Sequence, residues 1–305
     1  MTHASLSLPA WTLLFGVAFG LGTSSPHAAH AAEPLLKQGD RLALIGGTLV
    51  ESLQFQGDCE VSLALARPEL RVPFRNLGWS GDDASGTARR VFGSTADGYA
   101  RLFTDLSTAN PTVALIGYGW AEASQGESGV AAFKPALLRL GKDLQERQIR
   151  LVFLQPFELP GVRTSGYADH MRNCRQIVAE VATELSAAVL DSGRSLTEDA
   201  FDQAGLRLSA AGKRKFGQTL AADLLRQPVA VIQAAAQQPD YAVLSEQVAA
   251  KNALFFHRHR PMNETYLFLF RKHEQGNNAP EVASFEPLVE SAEQAIWNSA
   301  QTSKR

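Results

Sequence analysis

Arg41-Leu-Ala-Leu-Ile-Gly-Gly-Thr-Leu-Val-Glu51 is the stretch on which the reading of this chain turns. A short apolar strand runs into a glycine turn, and helical spacing follows. Many α/β hydrolytic enzymes place a nucleophile at such a junction. Thr48 stands at the exposed point of the turn, behind Gly46 and Gly47. A threonine hydroxyl is a nucleophile when a base activates it, although its methyl crowds the attack and restricts χ1. Thr48-Leu-Val-Glu51 is also a capping-box pattern, in which Thr48 caps the helix and Glu51 reaches back to the Thr48 amide. Both roles stay open for the same hydroxyl.

Outward from this junction, strand and helix patterns alternate. Strands are expected at 41–45, 70–76, 112–118, 150–154 and 188–190. Helical spacing covers 52–65, 87–91, 99–106, 131–147, 167–186 and 210–225. Nearly continuous apolar strands belong to a sheet covered on both faces. The expected fold is therefore α/β, a flavodoxin-like, doubly wound, parallel five-stranded sheet. Sites in such sheets lie outside the C-terminal strand ends. The loops that matter are then 46–48, 77–83, 119–128, 155–165 and the approach to Ala210. After about Pro228 the pattern becomes helical and ends in an amphipathic stretch at 287–301, an extension packed on the α/β domain.

The expected organisation is an export signal at 1–32, an α/β domain at 33–228 and a helical extension at 229–305. The signal reading rests on the apolar run at 11–21 and on Ala29-His30-Ala31 as a cleavage site, against an n-region without Lys or Arg. The chain left after signal removal has no other spanning segment, so no membrane contact is expected. With 29 basic and 31 acidic residues in 305, net charge is −2 and no basic block stands out. No nucleic-acid partner is expected on that ground. Cys59 and Cys174 either pair in an oxidising compartment or stay as two buried thiols.

Four loops together resemble the SGNH, or GDSL-like, hydrolases over roughly 40–225. Gly46-Gly47-Thr48-Leu49 stands where the family has Gly-Asp-Ser-Leu, so Thr48 takes the nucleophile position and Gly47 replaces the Asp. Asn76-Leu-Gly-Trp-Ser-Gly-Asp82 matches the family's Asn-x-Gly-x-x-Gly-Asp loop. The resemblance gives Gly81 the role of an oxyanion donor, and Trp79 is expected to wall the pocket. In the third block Gly119 is kept, but Ala121 replaces the oxyanion-donating Asn and Glu122 the Asp. Losing one such donor costs about 10²–10³ in turnover. In the last block Arg207 stands at the general-base His, and Ala204 at the Asp that orients it. Arginine stays protonated and cannot be that base.

The resemblance thus implies ester hydrolysis, of acyl or carbohydrate esters, on a fold whose triad is degraded. A rescuing imidazole would have to come from Phe255-Phe-His-Arg-His-Arg-Pro-Met-Asn-Glu-Thr265. This run and 270–279 resemble the extension of an exported GDSL-like subgroup. If the extension crosses the strand ends, His257 or His259 becomes the base for Thr48. Otherwise the run is a turn, with Asn263 capping the next helix and the cations paired to Glu264 and the last helix. The alternative function is a non-catalytic carbohydrate- or anion-binding module. Trp79, Asp82, Trp120, Glu122 and Arg207, with Arg260 and Asn263 from the extension, are the candidate ligand-binding residues. No cofactor is implied, and His257-x-His259 lacks the further ligands a metal needs.

Overall fold

The structure is a computed structural model and describes residues 1–2 and 33–303. The export signal expected at 1–32, with its apolar run and cleavage site, lies outside the described residues apart from Met1 and Thr2.

Five strands form one parallel sheet: β1 (Leu42–Gly46), β2 (Phe74–Asn76), β3 (Val113–Gly117), β4 (Arg150–Leu154) and β5 (Ala188–Leu190), in the order β2-β1-β3-β4-β5. β1 and β3 run in register from Leu42 beside Val113 to Gly46 beside Gly117. Successive side chains of a strand face opposite ways, and here each set finds its own core. Ala43, Ile45, Ala114, Ile116, Leu151 and Phe153 pack on one side, with Phe133, Leu137 and Met171. Leu42, Leu44, Val113, Leu115, Val152 and Leu154 pack on the other, with Phe216 and Leu220. Every residue of β1 and β3 is buried, which is why these strands read as unbroken apolar runs.

The helices that cover the sheet are α1 (Thr48–Ser52), α2 (Asp58–Ala66), α3 (Thr95–Ala109), α4 (Trp120–Ser124), α5 (Glu127–Glu146), α6 (Tyr167–Glu184) and α7 (Ala210–Leu225). Two expectations change. The single helix expected over 52–65 is split by a 3-10 turn at Leu53–Phe55 and by Gly57, whose φ is +61°. A Cβ at Gly57 would sit 2.1 Å from Val248 of the extension, so glycine lets the extension dock there. The second strand shrinks from 70–76 to Phe74–Asn76. Arg71 has φ +48°, and Pro73 has no N–H for a ladder.

The extension adds α8 (Val229–Ala235), α9 (Tyr241–His259), α10 (Glu264–Leu267), α11 (Lys272–Gln275) and α12 (Phe285–Thr302). Leu244 and Val248 of α9 and Ile296 and Ala300 of α12 form a third apolar cluster with Val61 and Leu65 of α2. Polar groups fix its register. Lys251 Nζ, fully buried, donates to Glu60 Oε2 at 2.8 Å and to the Phe74 carbonyl at 3.2 Å. Arg75 of β2 pairs with Glu293 of α12, and Asn252 Nδ2 donates to the Gln54 carbonyl at 2.9 Å. Cys59 and Cys174, left open between a bridge and free thiols, are both free and buried. No described helix is long and apolar enough to cross a membrane.

Candidate functional site

The strand order reverses between β1 and β3, and a cavity of about 530 Å³ opens there. Its walls come from the loop after β1, the 80–82 loop, the loop after β3 and the approach to α7. Thr48, Gly81, Asp82, Trp120, Glu122 and Arg207 all line it. Four loops far apart in sequence are brought together because each follows the end of a parallel strand or opens a helix on the same side of the sheet.

Thr48 is exposed at the start of α1, and its Oγ1 accepts a hydrogen bond from the Gly81 amide at 2.9 Å. The capping box expected at 48–51 does not form. Gly47 occupies the N-cap, and no side chain caps the helix. Glu51 instead turns away: it accepts from the Ser80 amide and from Arg260 Nη1, the latter at 2.9 Å. Gly47 itself is needed for close approach, since a Cβ there would lie 2.8 Å from the Asp82 carbonyl. Gly81, with φ +77°, holds a backbone that other residues rarely adopt. The Gly47 and Gly81 positions therefore clamp the turn and the 80–82 loop together.

The remaining carboxylates of the wall are also engaged. Asp82, 1% exposed, accepts from Arg89 Nε at 2.6 Å, from Tyr118 Oη at 3.0 Å and from the Ala88 amide at 3.1 Å. Glu122 accepts from the Ala84 amide at 2.9 Å and the Gly119 amide at 2.8 Å, which ties the third loop to the second. Burial pushes the Glu122 carboxyl up to about 7, against the pull of those amides. Trp120 donates from Nε1 to the Phe157 carbonyl at 2.9 Å and presents a ring to the cavity. Arg207 is exposed at the rim. Lys213 joins it from α7 and lies 5.9 Å from the Phe55 ring. Neither cation is held in an ion pair among the described residues, although the charge of Lys213 acts on Asp58.

Five expected residues lie elsewhere. Trp79 is buried beneath the loop, with the guanidinium of Arg260 at 3.8 Å, of Arg101 at 4.8 Å and of Arg89 at 5.4 Å from its ring. Arg260 stacks on that ring and pairs with Glu51, so it braces the turn from behind. His257 lines a different cavity beside Met262 and Phe285, and Asn263 Nδ2 bonds Gln275. Asn263 precedes α10 but makes no side-chain cap. His259 is buried on Phe255, with Nδ1 3.2 Å from the Phe255 carbonyl, and burial lowers it to about 3. Among the described residues, no histidine lines the cavity that holds Thr48. Of the run's cations, Arg258 pairs with Glu286 of the last helix as a turn region would, whereas Glu264 takes Arg101 of α3 and Arg260 takes Glu51 of α1.

Sequence reading missed Lys213 and Ser80 as wall residues. Ser80 lay inside a recognised loop. Lys213 sits four residues past the N-cap Ser209, whose Oγ accepts from the Gly212 amide at 3.1 Å. Once that cap is placed, the first turn of α7 has to border the cavity. Removing Arg260 tests the brace. Arg260→Ala should speed exchange of the Ser80 amide about tenfold, a loss of roughly 1.4 kcal/mol of local protection. Site-resolved hydrogen exchange checks it, and an unchanged Ser80 rate would show that Glu51 holds the loop alone.

No family model matches this sequence, and no curated protein sequence matches it. Solved structures do match. LAE5, an alpha/beta hydrolase enzyme from the metagenome of Lake Arreo, Spain, is 13% identical with a TM-score of 0.52, over 63% of this chain and 98% of its own. A catalytic mutant of Axe2, an acetylxylan esterase from Geobacillus stearothermophilus, is 17% identical with a TM-score of 0.50, over 62% and 95%. At such identities the likeness speaks for the backbone alone. On the strand order, the cavity at its reversal point and these two matches, the chain carries the SGNH, GDSL-like, hydrolase fold.

Proposed function

We propose that this protein is a non-hydrolytic binding member of the fold, whose cavity holds an anionic carbohydrate. One observation carries the reading: among the described residues, no imidazole lines the cavity that Thr48 faces. Arg207 stands where a base would be, and an arginine only donates. Glu51, Asp82 and Glu122 are all committed to internal hydrogen bonds. The Gly81 amide, which would bind an oxyanion, is directed at Thr48 Oγ1 instead. The lack of an imidazole and the engaged Gly81 amide both favour binding over the ester hydrolysis that the family resemblance implies.

What the cavity does offer is selective. Arg207 and Lys213 attract an anion, and the ring of Trp120 suits the apolar face of a sugar. Axe2 is by name an esterase of acetylxylan, a carbohydrate ester, which favours the same ligand class. Export follows if 1–32 is a cleaved signal, and would place the cavity among extracytoplasmic glycans.

Two measurements test this. Hydrolysis of p-nitrophenyl acetate by the purified protein should not exceed that of Thr48→Ala. Galacturonate binding, by calorimetry, should weaken about tenfold in Arg207→Ala, the loss of one charge-assisted contact. Turnover that disappears in Thr48→Ala would overturn the proposal and reinstate an esterase.

A further inference from the structure

Three carboxylates line the cavity that holds Thr48, and two of them have a cation. Glu51 pairs with Arg260 at 2.9 Å, and Asp82 with Arg89 at 2.6 Å. Glu122 has no ion-pair partner among the described residues. It is 3% exposed, and its oxygens accept from main-chain amides, Oε1 from Ala84 and Oε2 from Gly119. Amide dipoles ease a buried charge without cancelling it. Burial therefore prevails, and the carboxyl is pushed up to about 7.

The elements packed around Glu122 do not supply the missing charge. In the loop after β2, Asp82 is already paired, and the charge of Asp83 raises Glu122 further. Tyr118, at the end of β3, donates to Asp82. Cys174 of α6 is a thiol that burial pushes up to about 12, so it stays neutral. His170 of α6 lies beyond the far end of α4, its Cε1 3.6 Å from where a Cβ on Gly126 would stand. Glu127 of α5 and Glu158 of the loop after β4 are exposed to solvent. The cations lining the cavity are Arg207 and Lys213, both at the rim.

These two cations draw an anion in, and an ionised Glu122 in the wall opposes it. Like charges repel more strongly across a low-dielectric wall than across water. A proton on Glu122 removes the repulsion. Linkage is reciprocal, so an anion that binds the protonated form better also favours protonation. We propose that Glu122 sets the charge of the ligand this cavity accepts: protonated, it admits an anion, and ionised, it holds one off. The inference rests on the reading of the cavity as an anion site and adds that ligand and proton enter together. The anion is then held on the acid side of neutrality and released as pH rises.

Calorimetry of galacturonate binding to the full chain, in two buffers of different ionisation heat, tests this. The ligand's own carboxylate stays ionised between about pH 6 and about pH 8.5. Affinity should be about tenfold lower at the upper pH, and binding near neutrality should take up part of a proton. Glu122→Gln, which keeps an acceptor oxygen, should lose both effects and bind more tightly than the parent at the upper pH. His170→Gln should keep both. The proposal is overturned by equal affinity at the two pH values without proton uptake. A pH dependence that survives Glu122→Gln, or that disappears in His170→Gln, overturns it as well. Proton uptake is read on the unaltered protein, so it decides the matter even where the Glu122 variant does not fold. Absence of galacturonate binding at about pH 6 overturns the anion reading itself, whereas binding that ignores pH overturns the role of Glu122 alone.

Discussion

Lys251→Met should lower the unfolding free energy by about 3–5 kcal/mol, the largest single-residue effect expected in this protein. Lys251 and Glu60 are both buried and pair at 2.8 Å, and Lys251 also satisfies the Phe74 carbonyl. Removing the ammonium leaves Glu60 inside the protein with only the more distant charge of Arg75, which is itself paired with Glu293. Burial already pushes the Glu60 carboxyl up, and Lys251 is the main group that opposes that push, with Arg75 adding less. The deficit should therefore shrink as pH falls and Glu60 takes up a proton. Lys251→Met with Glu60→Gln should recover most of the loss, because neither charge then remains. Urea denaturation of the two single variants and the double variant completes the cycle. A Lys251→Met protein within about 1 kcal/mol of the parent would mean that water reaches the pair. Since α9 carries both Lys251 and His259 and leads into Arg260, the same variant reports whether the extension must dock for the 80–82 loop to hold.

Acid should destabilise the protein through His259, by about 1.4 kcal/mol per pH unit across the upper part of its window. The folded-state value near 3 lies below the ordinary 6.5, chiefly because the ring is buried, and the cations Arg89, Arg260 and Arg101 add to the effect. Between these values the unfolded chain binds the proton and the folded one does not. The contribution is fully present above pH 6.5 and is lost as pH falls toward 3. Glu122 and Asp105, raised by burial to about 7 and about 6, act in the opposite direction over overlapping windows. The difference between the parent and His259→Phe isolates the histidine, and phenylalanine keeps the stack on Phe255. That difference should grow steadily from pH 6.5 down to 4.5 in urea denaturation. A flat difference would place His259 in contact with solvent.

The fold was legible because β1, β3 and β4 are buried on both faces, and full burial writes an unbroken apolar run into the sequence. Their alternation with helical periods then leaves a doubly wound sheet as the arrangement that covers both faces. Loop positions followed from the strand ends. Hence the loops that carry Thr48, Gly81, Trp120, Glu122 and Arg207 could be placed at one end of the sheet, and the family resemblance singled out those residues within them. That Arg207 cannot act as a base is likewise a fact of sequence, since no packing makes a guanidinium accept a proton.

What sequence could not determine is where side chains turn once loops meet. Thr48-Leu-Val-Glu51 satisfied a local capping pattern, but Glu51 found the Ser80 amide and Arg260 instead. Those partners are 29 and 209 residues away, and no local rule contains them. The extension posed the same problem on a larger scale. Its histidines, arginines and amides form one polar run in sequence, yet α9 turns His259 onto Phe255, Arg260 onto Trp79 and leaves His257 at a separate cavity. The sheet is determined by periodic burial that each segment carries in itself. The chemistry of the cavity is decided by competition among distant polar groups for the same few partners, and only the tertiary structure settles that competition.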